Sequence, residues 1–295
     1  VDRKVRAVQY NSGAQLDPSQ MGGGGGGRGG AIAVGGGASI LVIILAMLFG
    51  FDPGALLGGA QAPAGGATTS SEYANCRTGA DIQANPECRY VAYTNSIQSY
   101  WQQALPGYEM TKTVTFDGVI STGCGQATAD VGPFYCPADH LVYLDKSFFA
   151  TQMPQLGAQG GDAAEAYVIA HEYGHHIQNL TGQMAKVQSG GQQAGANSPQ
   201  VRLELQADCY AGVWLRFAAG DPNGIISEVT QDDLDRSVQA AEVVGDDHIQ
   251  RMSAGRVDPS QWTHGSSEMR RTWLAKGFNT GDPNQCNTFA AGALA

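Results

Sequence analysis

In NSIQSYWQQAL (95–105), Ile97, Trp101 and Leu105 recur at every fourth position, the spacing of one helical face. KTVTFDGVIST (112–122) and HLVYLDKSFF (140–149) alternate β-branched or aromatic residues with polar ones and predict strands. Between them GCGQATADVGPFYCP (123–137) is punctuated by glycine and proline and predicts a loop. Downstream the period lengthens, predicting helices over 162–180, 201–219, 232–245 and 266–276. Gly182, Gly220 and Gly277 stand where helix ends favour glycine. SGGQQAGANSPQ (189–200) reads as a flexible connection before the second of these helices. The order, helix, strands, then mostly helices, predicts an α+β domain with a small sheet.

The pattern upstream is different. MGGGGGGRGG (21–30) has no periodicity, and residues 1–28 read as a disordered, glycine-rich tail. Residues 29–51, GGAIAVGGGASILVIILAMLFGF, carry no charge and are long enough to cross a bilayer core of about 30 Å as a helix. Arg3, Lys4, Arg6 and Arg28 precede this stretch and Asp52 follows it, which predicts a cytoplasmic N-terminus and a single-pass anchor in the cytoplasmic membrane. The small-x-small AQA at 60–62 offers a cleaved signal peptide as the rival, but Pro63 directly follows it and favours a retained anchor. Residues 52–71 read as a Gly/Ala/Pro/Ser/Thr linker, and 72–295 as one extracytoplasmic domain.

Composition narrows the partners. A formal charge of -10 and a pI near 4.9 leave no basic surface for nucleic acid. All six cysteines (Cys76, Cys88, Cys124, Cys136, Cys209 and Cys286) follow the apolar stretch, and an even number on an oxidising side predicts disulfides. Closeness in sequence favours Cys76–Cys88 and Cys124–Cys136, leaving Cys209 with Cys286. A four-cysteine zinc site lacks the usual C-x-x-C spacing.

The chemistry concentrates in AYVIAHEYGHHIQNLTG (166–182), which contains H-E-x-x-H. On a helix, His171 and His175 are four residues apart and share a face, so both rings can meet one Zn2+ ion. Glu172 lies beside that face, where its carboxylate can act on a water. His176 is turned off the common face and reads as a polar or packing residue. A catalytic zinc takes three protein ligands, and RLELQADCYAGVW (202–214) offers the third. Glu204 and Asp208 sit four apart on an otherwise apolar helix, where unpaired carboxylates are costly to bury. Glu204 as ligand, and Asp208 as acceptor for the outer nitrogen of a ligand histidine, would satisfy both. His140 and His248 lack partners at ligand spacing and read as ordinary loop or surface residues.

GCGQATADVGPFYCPADHLVYLD, AYVIAHEYGHHIQNLTG, RLELQADCYAGVW and WTHGSSEMR together resemble the bacterial neutral zinc metallopeptidase family. The likeness covers roughly residues 72–290 and the anchor. The H-E-x-x-H…E-x-x-x-D arrangement is also similar to gluzincins of the prenyl-protein protease type. That resemblance implies a zincin-like fold, Glu204 as third ligand and Asp208 behind it. It further implies that His264 stabilises the transition state and that Arg270, six residues on, supports the site. A helix-capping loop and an ion pair are the plainer reading of THGSSEMRR. The expected activity is therefore zinc-dependent hydrolysis of peptides or proteins by a membrane-anchored endopeptidase, with Glu172 as general base. A zinc-binding scaffold without turnover and a zinc amidase acting on cell-wall peptides are the alternatives. HLVYLD offers an edge along which an extended substrate can pair.

Overall fold

The computed structural model describes residues 8–23, 70–191, 193–221 and 224–294. Its axis is helix α2 (Asp162–Leu180), which is introduced after helix α1 (Cys88–Ala104) and a small sheet. Helix α2 opens with Asp162 and Glu165 in its first turn, where carboxylates favour the helix dipole, and closes at Gly182 with φ +71°. It is buried on nearly every face, and its buried polar residues His171, Glu172, His175, His176 and Gln178 lie among Ala, Val, Ile and Tyr side chains. Gly174 lets a neighbour approach closely: a Cβ there would stand 2.9 Å from Ala207 Cα.

That neighbour is α4 (Pro199–Gly220), reached through the short helix α3 (Gln183–Ser189). Ser198 caps α4 by accepting from the Val201 N–H, and Pro199 occupies the first turn, where its missing N–H costs nothing. Helices α5 (Gln231–Val243), α6 (Asp246–Ala254) and α7 (Ser267–Thr280) complete the bundle. Gly277, expected to end a helix, lies inside α7, which continues to Thr280 and ends at Gly281 with φ +62°. Its role is packing. A Cβ on Gly277 would collide with the Cys209 carbonyl, and one on Gly212 with that of Leu274, so α4 and α7 meet backbone to backbone.

The main sheet has the order β2–β3–β7–β6, from β2 (Met21–Gly23), β3 (Thr113–Phe116), β7 (Leu141–Asp145) and β6 (Phe134–Cys136). The first three strands run parallel, and β6 is antiparallel to β7. The stretch expected to be one strand at 112–122 breaks at Gly118, φ +77°. Its second half, β4 (Val119–Thr122), forms a separate hairpin with β5 (Gly125–Thr128). The segment expected to be a loop at 123–137 thus supplies two strands, held by the Cys124–Cys136 bridge. Cys76–Cys88 is paired, as closeness in sequence suggested, and so is the remaining pair, Cys209–Cys286.

The larger correction concerns the N-terminus, where residues 8–23, expected to belong to a disordered tail, are folded into the domain. Strand β1 (Gln9–Tyr10) pairs with β8 (Ile226–Glu228), and β2 forms the edge of the main sheet beside β3. Val8, Leu16 and Met21 are buried in the main core. Asp17 N–H donates to Asn95 Oδ1 at 2.7 Å, Asn95 Nδ2 returns to the Asp17 carbonyl at 3.0 Å, and Tyr10 Oη donates to Tyr93 at 2.7 Å. The glycine-rich composition hid three well-placed apolar residues. Ser70 N–H also donates to the Met21 carbonyl at 3.4 Å, so the described residues on either side of 24–69 meet. The expected anchor at 29–51 and most of the linker at 52–71 lie outside the described residues. Among the described residues, no helix is long and apolar enough to cross a membrane.

Candidate metal centre

Helices α2 and α4, held close at Gly174, bring His171, His175 and Glu204 into one group whose ligand atoms all lie within 4.8 Å of one another. His171 Nε2 is 3.1 Å from Glu204 Oε2, and His175 Nε2 is 3.5 Å from Glu204 Oε1. Both rings therefore turn Nε2 inward, and each is steered by a partner on its Nδ1. His171 Nδ1 faces Asp208 Oδ1 at 2.8 Å, and His175 Nδ1 faces Gln178 Oε1 at 2.9 Å. Two imidazoles and one carboxylate, with the outer nitrogens satisfied, form a donor set suited to zinc.

Asp208 is fully buried and occupied on both oxygens. Tyr167 Oη donates to Oδ1 at 2.6 Å, while Arg270 donates through Nε to Oδ2 at 2.8 Å and through Nη2 to Oδ1 at 2.9 Å. Such a two-pronged guanidinium grip fixes a carboxylate in both direction and charge. Burial opposes ionisation of Asp208, but Arg270 and His171 outweigh it and hold the carboxyl well below its usual range. Burial likewise lowers His171, yet Asp208 and Glu204 beside it push the imidazole up to about 10. Glu204 is also held low against burial, by His175 and His171.

Glu172 behaves oppositely: burial raises its carboxyl, only partly countered by the two histidines. The Tyr135 backbone lies close enough to this carboxyl to counter the rise slightly, while Oε2 has no hydrogen-bond partner. Tyr135 lies on β6, the outer strand of the sheet, so β6 rather than β7 presents its edge to the centre. The edge expected in HLVYLD is taken, because β7 pairs with β3 on one side and β6 on the other.

His264 is buried in the loop before α7, and its Nε2 also lacks a partner. It lies close enough to Glu204 to act on that carboxylate, which sets it beside the centre. His176 is turned away, with Nδ1 3.1 Å from Tyr135 Oη and Nε2 2.7 Å from the Glu109 carbonyl. It thereby ties β6 to α2. His140 is exposed with φ +61°, and His248 Nε2 donates to the Leu156 carbonyl at 2.8 Å; neither faces the metal group.

Sequence reasoning passed over Tyr167, Gln178 and Asp246. The first two had a signal, since Tyr167 precedes His171 by one helical turn and Gln178 follows His175 by three residues. Asp246 had none, because only the fold brings it to His264.

Over residues 8–289 the chain matches the family described as "Putative neutral zinc metallopeptidase", a span that begins at the folded N-terminal segment. It is 45% identical over 257 residues to "Uncharacterized protein Rv2575" of Mycobacterium tuberculosis, covering 84% of this chain and 86% of that protein. It is 47% identical over 185 residues to "Uncharacterized protein YpfJ" of Escherichia coli, covering 62% of each. No solved structure matches the chain.

Proposed function

The chain belongs to this zinc metallopeptidase family, and from that premise we propose that it is a zinc-dependent endopeptidase in which Glu172 is the general base. The observation that carries the reading is the convergence of His171, His175 and Glu204 beside a buried Glu172 oxygen without a partner. Zinc held there supplies Lewis acidity toward water and toward a scissile carbonyl. Glu172 removes a proton from the attacking water and passes it to the departing amine; a carboxyl raised by burial is suited to both directions. Asp208, clamped by Arg270, and Gln178 keep the two histidines aimed. His264 donates toward the oxyanion that forms at the attacked carbonyl. The extended substrate pairs along β6, the outer strand, whose Tyr135 lies near Glu172.

Membrane attachment through 29–51 and a domain outside the cytoplasm belong to the same reading, supported by that uncharged stretch and by three disulfides. The pairing of β1 and β2 adds a constraint: residues 8–23 share the compartment of the domain they complete. This departs from the cytoplasmic tail expected above.

The test is to load the full chain with zinc, present a mixed peptide library and read cleavage by mass spectrometry, beside Glu172→Gln carrying the same zinc. Cleavage by wild type and its loss by at least about a hundredfold in the variant are expected. A zinc-loaded wild type that cleaves nothing would end the peptidase reading in favour of a scaffold or of an amidase for cell-wall peptides.

A further inference from the structure

Beyond α7 the chain turns at Gly281 and comes back against α4, where the Cys209–Cys286 bridge fastens it. Arg202, Gln206 and Cys209 are spaced by four and three residues, so they form one stripe along α4. Residues 286–288 lie on that stripe. Thr288 Oγ1 donates to the Arg202 carbonyl at 2.6 Å, and Gln206 Nε2 donates to the Cys286 carbonyl at 2.9 Å. Gln206 also reaches the metal group's outer layer, since its Oε1 accepts from Gln178 Nε2 at 3.2 Å. Gln178 Nε2 donates in addition to the Leu203 carbonyl at 2.7 Å, and Gln178 Oε1 stands 2.9 Å from His175 Nδ1. Gln178, Gln206 and Cys286 are all buried.

We propose that Gln206 is a positioning residue for the metal: backed by the Cys286 carbonyl, it holds Gln178 so that His175 keeps Nε2 toward zinc, and the Cys209–Cys286 bridge makes the C-terminal segment part of the centre. The direction of each hydrogen bond supports this. A backbone carbonyl only accepts, so the Cys286 carbonyl takes the Gln206 NH2 and leaves the Gln206 oxygen toward Gln178. That oxygen and the Leu203 carbonyl take both N–H groups of Gln178, whose own oxygen is left for His175. An amide oxygen accepts, so His175 Nδ1 carries the proton and Nε2, 3.5 Å from Glu204 Oε1, offers its lone pair. Leu203 occupies one N–H of Gln178. Without Gln206 the other is buried unpaired, and the amide turns to find a partner, taking the acceptor away from His175. The bridge supplies the geometry: Cys209 follows Gln206 by one helical turn, so joining it to Cys286 sets the Cys286 carbonyl over the Gln206 amide.

This proposal rests on the zinc-binding half of the reading above and not on turnover. The measurement is therefore zinc affinity of the full chain, by competition with a fluorescent chelator, well below the melting temperature of each metal-free variant. Gln206→Met keeps the volume, removes the hydrogen bonds and should weaken zinc binding about tenfold. Added to Gln178→Leu, in which the path to His175 is already cut, it should change affinity by less than about twofold. An equal loss on both backgrounds would show that Gln206 does not act through Gln178 and would overturn the proposal. The visible bands of the cobalt(II)-loaded protein should also shift in Gln206→Met, because the His175 ring moves; a general loss of stability would leave them in place. Replacing both Cys209 and Cys286 by alanine should weaken zinc binding by a similar factor. Replacing Cys76 and Cys88, the bridge at the start of α1, should leave it within about twofold. Equal effects of the two removals would end the role given to the Cys209–Cys286 bridge, and if that variant does not fold, the Gln206 and Gln178 pair still decides. A wild type that binds no zinc would end both readings, whereas zinc binding unchanged in Gln206→Met would end this one alone.

Discussion

At the scale of single residues, the centre stores opposite charges that a metal would rearrange. His171, raised to about 10 from about 6.5, contributes stability that is complete below pH 6.5 and fades as pH rises through 10. Asp208, held low, contributes above its unfolded value near 3.8 and loses that contribution on acidification. A zinc ligand must be an unprotonated imidazole, so metal loading displaces the His171 proton. The metal-free protein should therefore lose melting temperature between pH 6.5 and 10 more steeply than the zinc-loaded one. Thermal unfolding over a pH series, with chelator and with zinc, checks this; parallel slopes would remove His171 from the explanation. Gln178 permits a second expectation. Besides holding His175, its Nε2 donates to the Leu203 carbonyl at 2.7 Å and to Gln206 at 3.2 Å. Gln178→Leu should weaken zinc binding about 10–100-fold, read by competition with a fluorescent chelator. Unchanged affinity would show that α2 alone fixes the ring.

Among the elements, glycines decide how closely the helices that carry the site approach each other. Gly277→Ala would drive a methyl into the Cys209 carbonyl and separate α4, which holds Glu204 and Asp208, from α7, which holds Arg270. A loss of about 1–3 kcal/mol in denaturant unfolding is expected, with weakened zinc binding. Gly220→Ala is the control: a Cβ there meets nothing within 4 Å, and the residue ends α4. It should be neutral or slightly stabilising. Equal effects of the two substitutions would mean that helix propensity, not the close approach, governs α4 and α7.

Across the whole molecule, the N-terminal segment joins the fold at both the β1–β8 pair and the main sheet. A chain starting at residue 70 lacks an edge strand and uncovers the core beneath Val8, Leu16 and Met21. It should unfold or aggregate, and restoring 8–23 through a flexible linker to Ser70 should recover cooperative melting. A soluble, zinc-binding 70–295 fragment with the melting temperature of the full chain would contradict this. If 29–51 attaches the protein to a membrane, an epitope before Val8 should be accessible from the side that holds the disulfides. Protection of that epitope in spheroplasts, with the domain exposed, would separate β1 and β2 from their partners.

The local chemistry was legible because it depends on spacing. His171 and His175 share a face wherever HEYGH is helical, Glu204 and Asp208 repeat that geometry on a second apolar helix, and cysteines twelve residues apart readily close. The long helices followed for the same reason: a four-turn pattern repeats its information. Short strands do not, so β5 and β6 were lost in a glycine-punctuated stretch, and β1 and β2 behind low complexity. Strand pairing is non-local, and the partners of Gln9 and Met21 lie more than two hundred and about ninety residues away. Which strand keeps a free edge, which glycine is a contact rather than an end, and which carboxylate holds His264 all depend on distances between segments remote in sequence. The composition of 162–180 and 202–214 determined what the centre can bind; the close packing of α2, α4 and α7 decided how its residues are held.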